Sequence, residues 1–211
     1  MEHSLTTYNL FPTPLSYCDV PTTFSNISHY LYKAEMVSSN PTQFGNRSKN
    51  SYILNSPEYS LFSSYILKQA LCFGNDNLGY DYEEYKITQS WVSTKHPNEG
   101  HIEHQHPNSL ISGVFYFGDI TPHTPCISFL KSRSYLNQNI ISPRSNNKPP
   151  TPYTYTSFDL KVHPGLLVLF PSWLHHSVPI NTSNKVRYSL SFNIVPLGGL
   201  GDEWELTEMR F

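Results

Sequence analysis

Ten histidines in 211 residues, three of them inside His101-Ile102-Glu103-His104-Gln105-His106, are where this sequence could do chemistry. Imidazole is the commonest side-chain metal ligand, and two histidines at i and i+2 on a strand point to one face, so both can reach one ion. The segment reads in two frames. In the first, His104 and His106 share a face; in the second, His101 and Glu103 do, and the sequence spells His-x-Glu. Because side chains alternate along a strand, the two pairs face opposite ways and cannot ligate together. A surface run of histidines is the bland alternative to both. A further imidazole, His175 or His176, follows the apolar run Leu166 to Phe170 and its Pro171-Ser172-Trp173-Leu174 turn.

Beyond that turn, Arg187-Tyr188-Ser189-Leu190-Ser191-Phe192-Asn193 alternates, so Arg187, Ser189, Ser191 and Asn193 share a polar face while the other face is apolar. A polar inward face implies a lined cavity rather than a filled core. An arginine in such a cavity can grip a carboxylate through a bidentate pair, and Ser189 can add a hydroxyl.

These residues need strands to position them, and the chain supplies strands. Seventeen prolines and ten glycines interrupt it often, while 15 tyrosines and 12 phenylalanines favour half-buried strands. From about residue 85 the pattern predicts Tyr85 to Val92, His101 to His106, Ser112 to Phe117, Cys126 to Leu130, Tyr153 to Leu160, Leu166 to Phe170, His175 to Pro179 and Arg187 to Val195 as strands. Short strands in that number suit a jelly-roll. Ahead of them, over about residues 20–75, Phe24, Ile27, Leu31 and Ala34 recur at helical spacing. A second helix runs from a Ser56 cap and Pro57 through Leu61, Phe62, Tyr65, Ile66, Ala70 and Phe73, ending at Gly74. Residues 132–152, rich in Ser, Asn, Pro and Lys, read as a loop inserted in a core of about residues 85–196. After Gly198-Gly199 a short amphipathic tail closes the chain.

Length fits one domain, residues 1–211. With 14% charged residues and a net charge of -2, no basic stripe exists to track phosphates, which argues against a nucleic-acid partner. Cys18, Cys72 and Cys126 form no CxxC pair and leave one over, which suits a reducing, cytoplasmic setting. No run of about 18 apolar residues suggests a membrane span.

The order His-x-His, then Ser-Gly-Val-Phe-Tyr-Phe (Ser112 to Phe117), then Pro-Gly-x4-Phe-Pro-Ser-Trp-Leu-x-His-x-Val-Pro, then Arg-x-Ser-x-Ser-Phe-Asn resembles the 2-oxoglutarate and Fe(II)-dependent oxygenases common among phages and marine bacteria. The likeness covers roughly Ser90 to Pro196; Leu10-Phe11-Pro12-Thr13-Pro14 extends it weakly toward the N-terminus. It implies a double-stranded β-helix (jelly-roll) in which His104 and His176 bind iron, position 106 supplies the third ligand, and Arg187 with Ser189 holds the distal carboxylate of 2-oxoglutarate. Tyr116 is implied as a further cosubstrate contact, and His176 is preferred to His175 because it stands at the family position. O₂ is the second cosubstrate, 2-oxoglutarate leaves as succinate and CO₂, and hydroxylation of a nearby substrate is the default outcome. One departure matters. The usual facial triad carries a carboxylate two positions after the first histidine, and here that position is His106, which leaves the metal one negative charge short. Substrate contacts are expected from the 132–152 loop, including Arg133 and Arg144, and from Trp91 and Trp173. Two other classes fit parts of the pattern: a zinc hydrolase on three histidines, which leaves Arg187 unexplained, and a non-catalytic jelly-roll binding module, which leaves the histidines without a purpose.

Overall fold

In the computed structural model, which describes residues 5–38, 45–131, 149 and 151–210, the alternating runs pair into two antiparallel sheets. Strands are numbered along the chain: β1 (Ser16–Asp19), β2 (Met36–Val37), β3 (Asn46–Ser48), β4 (Tyr85–Lys95), β5 (His101–His104), β6 (Ile111–Phe117), β7 (Ile127–Leu130), β8 (Ser157–Leu160), β9 (Leu166–Pro171), β10 (His176–Val178) and β11 (Arg187–Pro196). The large sheet runs β1-β9-β6-β11-β4-β3-β2 and the small one β5-β10-β7-β8. This is the expected double-stranded β-helix. All eight strands expected from Tyr85 onward are present, several of them trimmed by a residue or more. The three N-terminal strands β1 to β3 were not expected.

Two apolar layers explain why β6 and β9 read as continuous hydrophobic runs. One face of each packs outward on the helical layer, where Phe115, Phe117, Leu167 and Leu169 meet Phe62, Ile66, Ala70 and Phe73. The other face lies between the sheets, where Val114, Tyr116, Val168 and Phe170 meet Ile127, Phe129 and Leu174. Strand β11 serves only the first layer, through Leu190, Phe192 and Ile194, so its alternate residues are left to line the space between the sheets. Gly113 is required where the layers meet: a Cβ there would stand 2.3 Å from the Phe192 ring.

The helical layer departs from the sequence pattern in three ways. The first helix splits into a 3₁₀ turn (Thr22–Phe24) and a short α1 (Ile27–Leu31). The second begins with a 3₁₀ turn, Pro57–Tyr59, and continues as α2 (Ser60–Cys72); Ser56 makes no side-chain capping bond, and Leu61 is solvent-exposed, outside the stripe. Gly74 does not end the helix, which runs on as a π turn over Phe73–Asn77. Its purpose is close approach, since a Cβ at Gly74 would collide with the Tyr85 hydroxyl. Most of the 132–152 loop, with Arg133 and Arg144, lies outside the described residues. In the tail, Leu200 bridges Met209 while Trp204 and Leu206 are exposed.

Candidate metal centre

Strands β5 and β10 set two of the histidines side by side. His104 stands opposite His176 in the antiparallel ladder, with ring centroids 4.2 Å apart. His106 lies two residues past the end of β5, not on it, and its backbone N–H donates to the Ser172 carbonyl at 3.0 Å. That bond brings its ring to the same place, with Nε2 3.3 Å from His176 Nε2. The three imidazoles each offer a nitrogen, and those atoms lie within 4.8 Å of one another. Two tautomers follow from the backbone. His104 Nδ1 contacts the Ile102 carbonyl at 2.8 Å and His176 Nδ1 contacts the Leu174 carbonyl at 3.0 Å. A carbonyl only accepts, so in each ring Nδ1 carries the proton and Nε2 turns its lone pair toward the others.

Burial keeps these rings neutral. It lowers His106 to about 4 and His176 to about 3, with the His104 charge adding to both. Desolvation likewise lowers His104, against the bond to the Ile102 carbonyl that raises it. A neutral imidazole is the form that binds metal. Three neutral nitrogen donors fit a borderline divalent ion such as Fe(II), and no carboxylate joins the group among the described residues.

The ladder also places the two sequence pairs differently, and it corrects one premise of them. His104 pairs with His176 while His101 pairs with Val178, so β5 advances three residues where β10 advances two, a bulge. The extra residue turns His101 to the inner side, where its ring stacks on His104 at 4.0 Å; strict alternation places it on the opposite face. Glu103 is the residue that faces away. Its Oε1 lies 2.8 Å from His175 Nδ1 on the outside of the sheet. The side chains of His101 and Glu103 therefore do not share a face, and His175 points away from His176.

On the large sheet the inner face of β4 and β11 is a polar grid: Arg187 opposite Lys95, Ser189 opposite Ser93, Ser191 opposite Trp91, Asn193 opposite Gln89. Arg187 is buried, its Nε–H donating to the Pro125 carbonyl at 3.1 Å and its second amino group to the Tyr116 hydroxyl at 3.3 Å. The guanidinium carbon stands 4.9 Å from the Tyr116 ring centre. Two contacts leave most of its five N–H donors for a ligand, and no carboxylate pairs with it among the described residues. Arg187, Ser189, Tyr116 and the three histidines border one cleft. His104 and His106, with Trp91 and Ser93, also border a wider cavity of about 640 Å³ walled by Arg47, Gln89 and Asn193. Trp173 borders neither space and is exposed.

The sequence reading overlooked two things here. Lys95 is buried in the cleft wall; the alternation Gln89, Trp91, Ser93, Lys95 was available to show it. A hydroxyl relay also went unseen: Ser112 Oγ bonds Ser172 Oγ at 2.8 Å and Asn193 Oδ1 at 3.0 Å, and Ser172 Oγ bonds Ser109 Oγ at 2.9 Å. It fixes the turn whose Ser172 carbonyl holds His106.

Residues 89–193 match the family model described as "Putative 2OG-Fe(II) oxygenase". The chain belongs to the 2OG-Fe(II) oxygenase family. Fe(II), 2-oxoglutarate and O₂ are accordingly its cofactor and cosubstrates, and it is an enzyme of the dioxygenase class. No curated protein matches. Among solved structures the fold is similar to a prolyl-4-hydroxylase from Pseudomonas putida, with TM-score 0.58, 15% identity, and coverage of 88% of this chain and 94% of that one. It is also similar to HygX from Streptomyces hygroscopicus, solved with nickel, 2-oxoglutarate and hygromycin B bound, with TM-score 0.61, 13% identity, and coverage of 87% and 83%. At such identities the likeness establishes the fold. No helix among the described residues is long and apolar enough to cross a membrane.

Proposed function

We propose that this oxygenase is a hydroxylase in which His104, His106 and His176 hold Fe(II) through Nε2, while Arg187 with Ser189 and Tyr116 receives the distal carboxylate of 2-oxoglutarate. The observation that carries this is the shared cleft: three inward nitrogens at one end and, at the other, a buried guanidinium that no carboxylate pairs with among the described residues. A zinc hydrolase accounts for the first and not the second. Metal with 2-oxoglutarate and O₂ supplies the oxidising chemistry, yielding succinate and CO₂ as coproducts.

The residues of this chain supply position. The carbonyls of Ile102 and Leu174 lock two rings in the ligating tautomer, and the Tyr116 hydroxyl and Pro125 carbonyl fix the plane of the Arg187 fork. The cleft holds about 40 Å³ of free space, so side chains at its junction with the wider cavity must give way to a five-carbon dicarboxylate. The cavity on the other side of the histidines is the place for the substrate, with Trp91, 5.9 Å from the His106 ring, as its wall. A cytoplasmic setting, in the host cell where a phage encodes the chain, belongs to the same proposal; the three cysteines are unpaired.

Metal content of anaerobically purified protein and succinate release from 2-oxoglutarate test the assignment. His104→Ala is expected to lose the metal, while Glu103→Ala keeps it. Arg187→Met keeps the metal but raises the KM for 2-oxoglutarate about a hundredfold, the loss of a buried charge-assisted pair. Zinc without 2-oxoglutarate consumption sinks the proposal.

A further inference from the structure

The hydroxyl relay behind His106 is one hydrogen short as it stands. Ser109 Oγ lies 3.0 Å from the Ile111 carbonyl and 3.1 Å from the Ile194 carbonyl, and it accepts from the Ile194 N–H at 3.2 Å. A carbonyl only accepts, so the Ser109 hydrogen points to these two. Ser172 then donates to Ser109 and Ser112 donates to Ser172, which leaves Ser112 no hydrogen for Asn193 Oδ1, 3.0 Å away. Reversing the chain only moves the gap to Ser109 and its carbonyls. Ser112 and Ser172 are buried, at 1% and 0% exposure, so an oxygen facing an oxygen there carries the full cost of an unmade bond. A half-turn of the Asn193 amide removes the gap. It exchanges two termini of nearly equal size and sets Nδ2 against Ser112 Oγ as a donor, and every link of the relay then has a hydrogen.

The half-turn fixes what Asn193 offers on its other side. Asn193 borders the wider cavity and not the cosubstrate cleft. Its second amide terminus makes no hydrogen bond among the described residues. Among those residues no buried side-chain nitrogen or oxygen lacks a partner, so this terminus is open to the cavity, and it is the oxygen. Trp91 stands on the same wall, one inward position along β4 from Gln89, the cross-strand partner of Asn193. The described lining residues include Arg47 and no Asp or Glu, so an ammonium would find no counter-charge there. An amide acceptor beside an aromatic face suits an uncharged donor. The Ser172 carbonyl that holds the His106 N–H belongs to the turn that the relay braces, so one network sets both the acceptor and the metal ligand.

We propose that Asn193 is a substrate-recognising residue, whose side-chain oxygen accepts from a hydroxyl or amide N–H of an uncharged substrate group lying against Trp91. The inference rests on the reading above that places the substrate in the wider cavity, and it names the kind of group held there. It gives a role to the last residue of the Arg-x-Ser-x-Ser-Phe-Asn run, which holds neither metal nor 2-oxoglutarate. Buried hydroxyls set which amide terminus faces the substrate, so the acceptor is oriented before anything binds.

Nuclear magnetic resonance of nitrogen-labelled protein loaded with Zn(II), a diamagnetic and redox-inert ion, tests both halves. The Asn193 side-chain NH₂ should exchange with water at least tenfold more slowly than that of exposed Asn50, because it is bonded to buried Ser112. Exchange as fast as at Asn50 means that the nitrogen faces the cavity, and it overturns the proposal. The probes are benzyl alcohol and benzyl methyl ether, which share a ring for Trp91 and differ in the donor. Both are followed at the Trp91 indole signal with 2-oxoglutarate bound. The alcohol should bind about fivefold more tightly, the worth of one neutral hydrogen bond, and Asn193→Ala should bring the two within twofold. If circular dichroism shows Asn193→Ala unfolded, the exchange rate and the wild-type ratio decide. Equal affinities in wild type, or an unchanged ratio in Asn193→Ala, overturn the role of Asn193 and leave the cavity as the substrate site. If neither probe moves the Trp91 signal, the placement of the substrate falls with the proposal, while succinate release decides the oxygenase chemistry separately.

Discussion

Acidification should strongly destabilise the metal-free protein before its carboxylates titrate, because the histidine cluster is buried in its neutral form. His101, His106 and His176 are lowered to about 2, 4 and 3 by burial first and then by neighbouring charges, His104 foremost. In the unfolded chain each returns to about 6.5. A folded-state pKa below the unfolded one means that the unfolded chain binds more protons between the two values, so stability falls as pH drops through 6.5 and recovers as pH rises. Down to pH 5 the folded rings stay neutral, and the size of the loss depends only on the unfolded-state value. From pH 7 to pH 5 it is about 2 kcal/mol for each ring and about 6 kcal/mol for the three. That is a large part of the total stability of about 5 to 15 kcal/mol usual for a domain. Urea unfolding of metal-free protein at pH 7, 6 and 5 reads this as a falling midpoint with an unchanged slope. His176→Gln should cut the loss by about 2 kcal/mol. Bound metal should cancel much of it down to about pH 5, because the liganded nitrogens hold no proton in the native state and the ion binds only that state. A midpoint that does not move between pH 7 and 5, or one that moves equally in His176→Gln, refutes the claim that the rings are buried and neutral.

Two further outcomes follow from the packing. Gly113→Ala should cost about 2 kcal/mol by thermal or urea unfolding, since its Cβ would stand 2.3 Å from the Phe192 ring, and adding Phe192→Leu should recover part of that cost. Ser172→Ala removes the hydroxyl between Ser109 and Ser112 while leaving the carbonyl that holds His106. It should weaken metal affinity about tenfold in a chelator competition with little change in fold, as loss of a supporting contact does elsewhere.

What the sequence disclosed tracks how local the physics is. The strands from Tyr85 onward were legible because alternation and Gly/Pro punctuation are local, and β6 and β9 read as apolar runs because both of their faces are covered. The strands β1 to β3 were not. They are two to four residues long, too short to show a period, and β1 exists only because β9 offers it an edge. At the site, period-two reasoning placed His104, Glu103 and the β11 face correctly and failed at His101. The failure came from the bulge between β5 and β10, a property of two strands together. Gly74 illustrates the same limit: a glycine near a helix end suggests a stop, yet here it makes room for Tyr85, 11 residues on in sequence.

Charge gives this centre its character. A facial triad with a carboxylate holds Fe(II) with a net charge of about +1, whereas three neutral imidazoles leave the full +2, and the cleft adds the buried Arg187, which no carboxylate pairs with among the described residues. Two consequences pull in opposite directions. The excess favours a dianion in the cleft, so cosubstrate affinity should gain from contacts that a carboxylate triad would partly offset. It also disfavours the higher oxidation state of the metal, so oxygen activation should be slower for the same cosubstrate occupancy.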